Sequence, residues 1–109
     1  MVPRDYSLGE FEHLVLVAIL RLREDAYGVT IRQEIENRAG RDVSIGAIYT
    51  TLERLEQKGY VKSRRGDPTP ERGGKAKRYF KLTAPGSKAL YESRTTFDDM
   101  WRGLKPAGV

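Results

Sequence analysis

Residues 43–82 read VSIGAIYTTLERLEQKGYVKSRRGDPTPERGGKAKRYFKL, and the spacing of apolar residues changes once along this stretch. In the first half, apolar side chains recur every three or four positions, at Ile45, Ile48, Leu52 and Leu55. That spacing predicts a helix that follows Ser44 as its N-cap and ends before Gly59.

The second half of the stretch has the period of a β-hairpin. Apolar and polar side chains alternate within residues 61–65 and 76–82, as they do in half-buried strands. Proline and glycine residues separate the two runs, so we expect a hairpin with a long loop.

Two further helices are predicted on the N-terminal side. SLGE at residues 7–10 has the pattern of a capping box, in which the Ser7 hydroxyl accepts from the Glu10 amide. The helix after it is apolar on most faces up to Leu22, so we expect it to be buried on more than one side. A second helix is predicted over residues 27–39, with Gly40 as its stop.

A fourth helix is predicted to follow Thr83 and to extend to near Lys105. Its apolar residues recur at spacings of seven, four and three, the seam of helices that pack together: Leu90, Phe97, Trp101 and Leu104. Over residues 83–104 such a helix spans about 30 Å, more than a small core covers. We therefore expect it to pair two copies of the chain.

The order of these elements predicts a mainly α fold with a small β-hairpin. Residues 1–83 would form a winged helix-turn-helix domain that binds DNA, and residues 84–109 a C-terminal dimerisation helix with a tail. The hairpin and its loop would be the wing.

Positive charge is concentrated where the third helix and the wing are predicted. The chain of 109 residues carries a net charge of +5. Residues 54–81 hold ten of its Lys and Arg residues against three acidic ones, which gives that segment +7 and the remainder −2. Such asymmetry favours an acidic partner, most simply a phosphate backbone, although a solvated basic surface is the alternative.

Composition argues against several other kinds of protein. Cysteine is absent, which excludes disulfides and thiolate metal sites and agrees with a cytoplasmic location. We expect no membrane span, no cofactor and no metal site. His13 is the only histidine and lies in an apolar helix, where packing at the edge of the core explains it better than chemistry. We see no nucleophile with a partner base, so we do not expect an enzyme.

Four stretches together resemble the PadR family of bacterial transcriptional regulators. They are LGEFEHLVLVAI at 8–19, AYGVTIRQEIE at 26–36, VSIGAIYTTLERLEQKGYVKS at 43–63 and ERGGKAKRYFKLTAPG at 71–86. The resemblance implies a homodimeric repressor that binds a palindromic operator in double-stranded DNA.

The resemblance also implies a set of contact residues. The DNA face would comprise residues of the third helix and of the wing: Ser44, Gly46, Ala47, Tyr49, Thr50, Arg54, Arg72, Gly73, Gly74 and Lys75. The dimer interface would join the first helix to the seam of the fourth: Leu14, Val17, Leu90, Phe97, Trp101 and Leu104. Trp101 would also line a pocket between subunits for a small aromatic effector, and interface packing alone is the alternative role.

Several of these residues have a plainer interpretation. Tyr49 and Thr50 suit hydrogen bonds to phosphates, and Thr50 suits a thymine methyl group, but Tyr49 packed against the wing is the alternative. Gly46 and Ala47 let the helix start approach DNA closely, or else make a tight helix–helix contact. Gly73 and Gly74 beside Arg72 suit a loop close to the sugar–phosphate backbone, or else a simple turn.

Three classes of function remain to be compared. A DNA-binding regulator is favoured. A winged-helix module that binds protein without DNA would have a neutral or acidic third helix and wing, which this chain lacks. RNA binding is disfavoured because few aromatic residues accompany the basic segment.

Overall fold

The computed structural model describes residues 8–67 and 76–105. Along the chain, α1 (Glu10–Leu22) is followed by a 3-10 turn (Arg23–Asp25), α2 (Gly28–Ala39) and α3 (Ile45–Gln57). The two strands β1 (Val61–Arg65) and β2 (Arg78–Leu82) come next, and α4 (Ala84–Trp101) closes the sequence of elements. The prediction of a mainly α fold with a small β-hairpin is confirmed.

The first helix begins later than its sequence pattern predicted. Gly9 is the N-cap of α1, and the Glu12 carboxylate accepts a hydrogen bond from the Gly9 amide at 2.9 Å. The same carboxylate is buried and binds the Lys58 ammonium at 2.9 and 3.0 Å. The capping box at residues 7–10 is therefore wrong in its register, because a contact with the end of α3 fixes the position of Glu12. Ser7 itself lies outside the described residues.

The helix-turn-helix pair has the caps that its sequence predicts. Gly40 ends α2 with φ of 62°, and its amide donates to the Glu36 carbonyl. Ser44 begins α3, and its hydroxyl oxygen accepts from the Ala47 amide at 3.0 Å. Of the predicted buried stripe of α3, Ile48, Leu52 and Leu55 are fully buried, but Ile45 is 36% exposed because it lies in the first turn, beyond the edge of the core.

The hairpin is antiparallel, with Ser63 opposite Phe80 and Arg65 opposite Arg78. The first strand has its predicted bounds, but the second begins at Arg78, two residues later than expected. The Gly66 amide still donates to the Lys77 carbonyl at 2.7 Å. The Tyr79 ring lies over Gly66 at this end of the hairpin, where a Cβ atom would be 2.5 Å from the ring.

The last helix begins as predicted and ends early. The Thr83 hydroxyl oxygen accepts from the Gly86 amide at 3.1 Å and donates to the Gly59 carbonyl at 2.6 Å. The helix ends at Trp101 because Gly103 adopts φ of 84°, and the Leu104 amide folds back to the Trp101 carbonyl at 2.9 Å. Leu104 therefore lies beyond the helix that was predicted to include it.

A single core joins the helices to the hairpin. Side chains from α1, α2 and α3 meet the inner residues of the two strands and one residue of α4, and burying each of the larger ones contributes about 1.5–3 kcal/mol. Its members are Val15, Leu16, Ala18, Ile19, Ala26, Ile31, Ile35, Ile48, Leu52, Leu55, Tyr60, Val61, Phe80 and Leu90.

Candidate nucleic-acid interface

The outer side of α3 carries the predicted DNA-contacting residues of this helix. The structure brings six of them together on the exposed surface, because the neighbouring side chains Ile48, Thr51, Leu52 and Leu55 are buried. The six exposed residues are Ser44, Gly46, Ala47, Tyr49, Thr50 and Arg54.

The N-terminus of α3 is open to a ligand. A Cβ atom built on Gly46 would have no neighbour closer than the Ser44 hydroxyl oxygen at 3.9 Å, so no tight contact inside the chain requires a glycine there. The first amides of a helix point outward without an intrahelical partner and carry the positive end of its dipole. This terminus therefore suits a phosphate group.

The Tyr49 side chain, which α3 carries, packs against the start of α2. Its side chain crosses the first residue of α2, where a Cβ atom on Gly28 would be 2.5 Å from the phenol oxygen and 2.6 Å from the ring carbon that bears it. The loop of the wing lies outside the described residues, so the alternative packing of Tyr49 against the wing stays a prediction. The residue remains 37% exposed, which leaves part of it available to a ligand.

Only the base of the wing is described. Arg72, Gly73, Gly74 and Lys75, the predicted wing contacts, lie outside the described residues. At the base, the Arg78 guanidinium binds the Glu56 carboxylate at 2.6 Å and the Ser63 hydroxyl at 3.1 Å. Arg78 is thus fixed by its own chain.

Two further cations of the hairpin rest on tyrosine rings. The Lys77 ammonium lies 4.3 Å from the centroid of the Tyr27 ring, and the Arg64 guanidinium lies 4.6 Å from that of Tyr79. The two rings meet edge to face at 5.5 Å. Cation–π contacts of this length hold long basic side chains in place while leaving their charge near the surface.

The chain before α2 is fastened to the hairpin. The Phe80 amide donates to the Ala26 carbonyl at 2.8 Å, and Tyr27 forms an isolated antiparallel bridge with Tyr79. From the sequence, Tyr27 and Gly28 were predicted to start α2 and to support its packing, and a contact with the hairpin was not predicted. Two features of the sequence could have indicated this contact. An aromatic residue stands just before the start of a helix, and basic and aromatic residues alternate in β2.

The predicted dimer residues divide into two groups. Leu90 is 7% exposed and packs in the core of its own chain, and Leu14 and Val17 are partly buried. Farther along, Phe97 is 63%, Trp101 53% and Leu104 64% exposed. A groove of about 420 Å³ runs beside this surface between the start of α1 and α4, and Leu8, Ser93 and Phe97 are among its lining residues. Trp101 does not line it.

The described residues contain no cluster of metal-ligating side chains and no helix suited to crossing a membrane. Within residues 8–67 and 76–105, no group of three His, Cys, Asp or Glu side chains converges on a common point. His13 is bound instead to Ser93, with Nδ1 3.0 Å from the hydroxyl oxygen. In the same ranges no helix has the length and apolarity needed to cross a membrane.

Three relatives share most of their length with this chain. An uncharacterised protein from Lysinibacillus sphaericus is 35% identical over 94 residues, which are 84% of this chain and 82% of the relative. The crystal structure of a PadR family transcriptional regulator from Eggerthella lenta DSM 2243 superposes with a TM-score of 0.67 at 25% identity, covering 86% of this chain and 81% of that one. A Streptococcus transcriptional regulator superposes with a TM-score of 0.67 at 29% identity, covering 83% of both chains.

In this chain a helix-turn-helix is followed by a β-hairpin, and the polar side of the second helix of the pair is exposed. Winged-helix proteins that bind DNA have this arrangement. The family model of the transcriptional regulator PadR-like family matches residues 15–92. The chain belongs to this family of DNA-binding transcriptional regulators, which are not enzymes.

Proposed function

We propose that this regulator is a homodimeric repressor of the cytoplasm that binds a palindromic operator. The proposal rests on two surfaces that occur in the same chain. One is the exposed polar side of α3, and the other is the exposed apolar surface at the end of α4. A two-fold dimer presents two copies of α3 to two half-sites, and a protein seated on promoter DNA in this way excludes the transcription machinery.

In this proposal, α3 enters the major groove and reads bases from its exposed side. The start of the helix, with Ser44, Gly46 and Ala47, receives a phosphate group. Tyr49 donates a hydrogen bond to the backbone, and Thr50 contacts a phosphate or a thymine methyl group. Arg54, farther along the same surface, pairs with a phosphate.

The wing supplies a second set of backbone contacts. Arg72 and Lys75 neutralise phosphates, and Gly73 with Gly74 lets the loop lie close to the sugars. The cations at the described base of the wing support this assignment because Lys77 and Arg64 are held on tyrosine rings near the hairpin surface.

The dimer is proposed to form through the outer part of α4. Phe97 and Trp101 are both more than half exposed. They lie about two and about three turns beyond Leu90, on the same side of the helix. Covering each such side chain contributes about 1.5–3 kcal/mol, so an uncovered stripe is costly. In the dimer it packs on α4 and α1 of the partner, where Leu14 and Val17 are partly exposed.

Sedimentation of a Phe97→Asp, Trp101→Asp double variant tests the dimer. The wild-type protein is expected to sediment as a dimer and the double variant as a monomer. Tyr91→Asp is the matched control, because Tyr91 is exposed on α4 but lies about 100° around the helix from Leu90. If the double variant and the wild-type protein sediment as the same species, α4 does not form the dimer interface.

Trp101 is proposed to line a pocket for a flat aromatic effector once the dimer has formed. It is the only tryptophan, so its fluorescence reports on this position alone. Saturable quenching by planar aromatic compounds is the expected result, and it is expected to be abolished in the single Phe97→Asp variant, which keeps Trp101. Quenching that persists in the monomer would mean that no pocket between subunits is involved, and no quenching by any compound would leave Trp101 with interface packing only.

A mobility-shift assay tests DNA binding directly. The protein is expected to retard duplex DNA from the region upstream of its own gene and to leave single-stranded RNA of matched length and charge unshifted. Equal retardation of both would indicate general attraction to phosphates. Retardation of neither would favour a winged-helix module that binds protein.

A further inference from the structure

Gly28 lies where the recognition helix α3 crosses the start of α2. Its Cα faces the Tyr49 side chain so closely that a Cβ atom would overlap the phenol oxygen and two ring carbons, all at 2.5 to 2.8 Å. Separations under about 3 Å are not tolerated between packed carbon atoms, so Tyr49 occupies its present position only because residue 28 has no side chain.

The backbone at residue 28 has little freedom to retreat. The two preceding residues are fastened to the hairpin: the Ala26 carbonyl accepts from Phe80, and Tyr27 is bridged to Tyr79. Ala26 is fully buried, and the Tyr27 amide donates to the Thr30 hydroxyl at 3.0 Å. On the other side, Ile31 of α2 is fully buried in the core. A new methyl group at residue 28 would therefore displace the outer end of Tyr49 rather than the backbone.

Tyr49 is able to move because its side chain is not enclosed. It is 37% exposed and lies at the surface of α3 beside Thr50. Because Tyr49 lies on the exposed side of α3, which faces DNA in the proposed complex, a ring displaced from α2 would enter the space proposed for the DNA. The cost of such a displacement falls on ligand binding and not on the core.

We propose that Gly28 is a positioning residue for DNA recognition, which acts by holding the Tyr49 ring flat against α2. The proposal rests on the proposed binding of DNA by α3. Gly28 itself touches no DNA in this scheme. Its contribution is the missing Cβ atom, which lets one aromatic side chain contact the duplex without blocking it.

The test is a double-mutant cycle with Gly28→Ala and Tyr49→Ala. The probe is a duplex that the wild-type protein itself enriches from a randomised pool. Gly28→Ala is expected to weaken binding of this duplex about tenfold, the size of one lost contact at a base or phosphate. In the Tyr49→Ala background, the same glycine substitution is expected to change binding less than about twofold, because the ring it displaces is gone.

Two further measurements separate positioning from a loss of fold. Gly9→Ala is the matched control, since a Cβ there meets only Glu12 Oε1 at 3.6 Å, and it is expected to leave DNA binding unchanged. In protein labelled with 3-fluorotyrosine, the ¹⁹F resonance of Tyr49, identified by its loss in Tyr49→Phe, is expected to shift in Gly28→Ala. Resonances of core-facing Tyr60 are expected to stay in place.

The outcomes distinguish a failure of the positioning role from a failure of the proposed DNA binding. If Gly28→Ala binds the enriched duplex as tightly as wild type, or weakens it equally in both backgrounds, the positioning role is wrong while DNA binding stands. An unshifted Tyr49 resonance also overturns the positioning role. If the wild-type protein enriches no duplex at all, the proposed function fails and the inference fails with it.

Discussion

His13 of α1 contacts α4, and its environment opposes a positive charge on its ring. Burial, and then the nearby Arg94 guanidinium, lowers the pKa of His13 below its ordinary value. Its imidazole ring reaches the Ser93 hydroxyl, which ties together two helices that also border the groove beside Phe97. The neutral ring therefore belongs to the folded state.

This lowered pKa predicts a loss of stability in mild acid. The unfolded chain takes up the proton more readily than the folded one, so stability is complete above the unfolded pKa of about 6.5. It declines as the pH falls from there to the lowered pKa of the folded state, and levels off below it. Thermal unfolding at about pH 7.5 and 5.5 measures this loss. The decrease is expected to be smaller in His13→Gln, and equal decreases in the two proteins would contradict the assignment.

Gly86 shows how a single atom can matter to the fold. It sits in the first turn of α4, buried against the backbone of Tyr60, and a Cβ atom would overlap the Tyr60 carbonyl oxygen. That carbonyl already accepts from the Thr83 amide, so it has little room to move.

Gly86→Ala is accordingly expected to destabilise the protein by about 1–3 kcal/mol, as overpacking against a rigid backbone does. Gly46→Ala is the control, because open space surrounds that position and alanine favours a helix by up to about 1 kcal/mol. Urea denaturation of both variants measures the difference. A Gly86→Ala protein as stable as wild type would show that α4 can shift away from Tyr60.

Among the elements, those governed by local signals were predictable. Ser44 capped α3 and Gly40 ended α2 as expected, since a cap depends on residues within one turn. The bounds of β1 followed from its alternation. The start of α1 was not predictable, because it depends on the reach of Lys58 to Glu12 across 46 positions of sequence. The contact between Gly28 and Tyr49 likewise needed the crossing of two helices, which periodicity does not give.

The proposed phosphate contacts of the wing predict how DNA binding depends on salt concentration. Each phosphate contact contributes about 0.9 to the slope of log affinity against log salt concentration. The double variant Arg72→Ala, Lys75→Ala is therefore expected to have a flatter slope, by the contribution of about two contacts per subunit. Lys88→Ala with Arg102→Ala removes the same charge from α4 and the residue that follows it, and is the control. A slope that is unchanged in the wing variant, or flattened equally in the control, would argue against contacts by the wing.

For the whole molecule, the proposed two-fold dimer predicts the layout of its operator. Two recognition helices related by a two-fold axis require two half-sites of inverted sequence, about 10 base pairs apart from centre to centre. Footprinting on the enriched duplex is expected to show two protected half-sites on one side of the DNA. Protection of one isolated half-site by a monomer would contradict the proposed assembly.

The two ends of α4 are under different constraints. Near its start, Gly86 and Leu90 are packed into their own chain, and a change at either one damages the fold. Near its end, Phe97 and Trp101 are more than half exposed, so substitutions there are expected to spare the fold and, in the proposed dimer, to alter which chains can pair. If the proposed dimer forms through these positions, a gene duplicate of this regulator would stop forming mixed dimers with its parent by changes there alone, and α3 and the operator would stay unchanged.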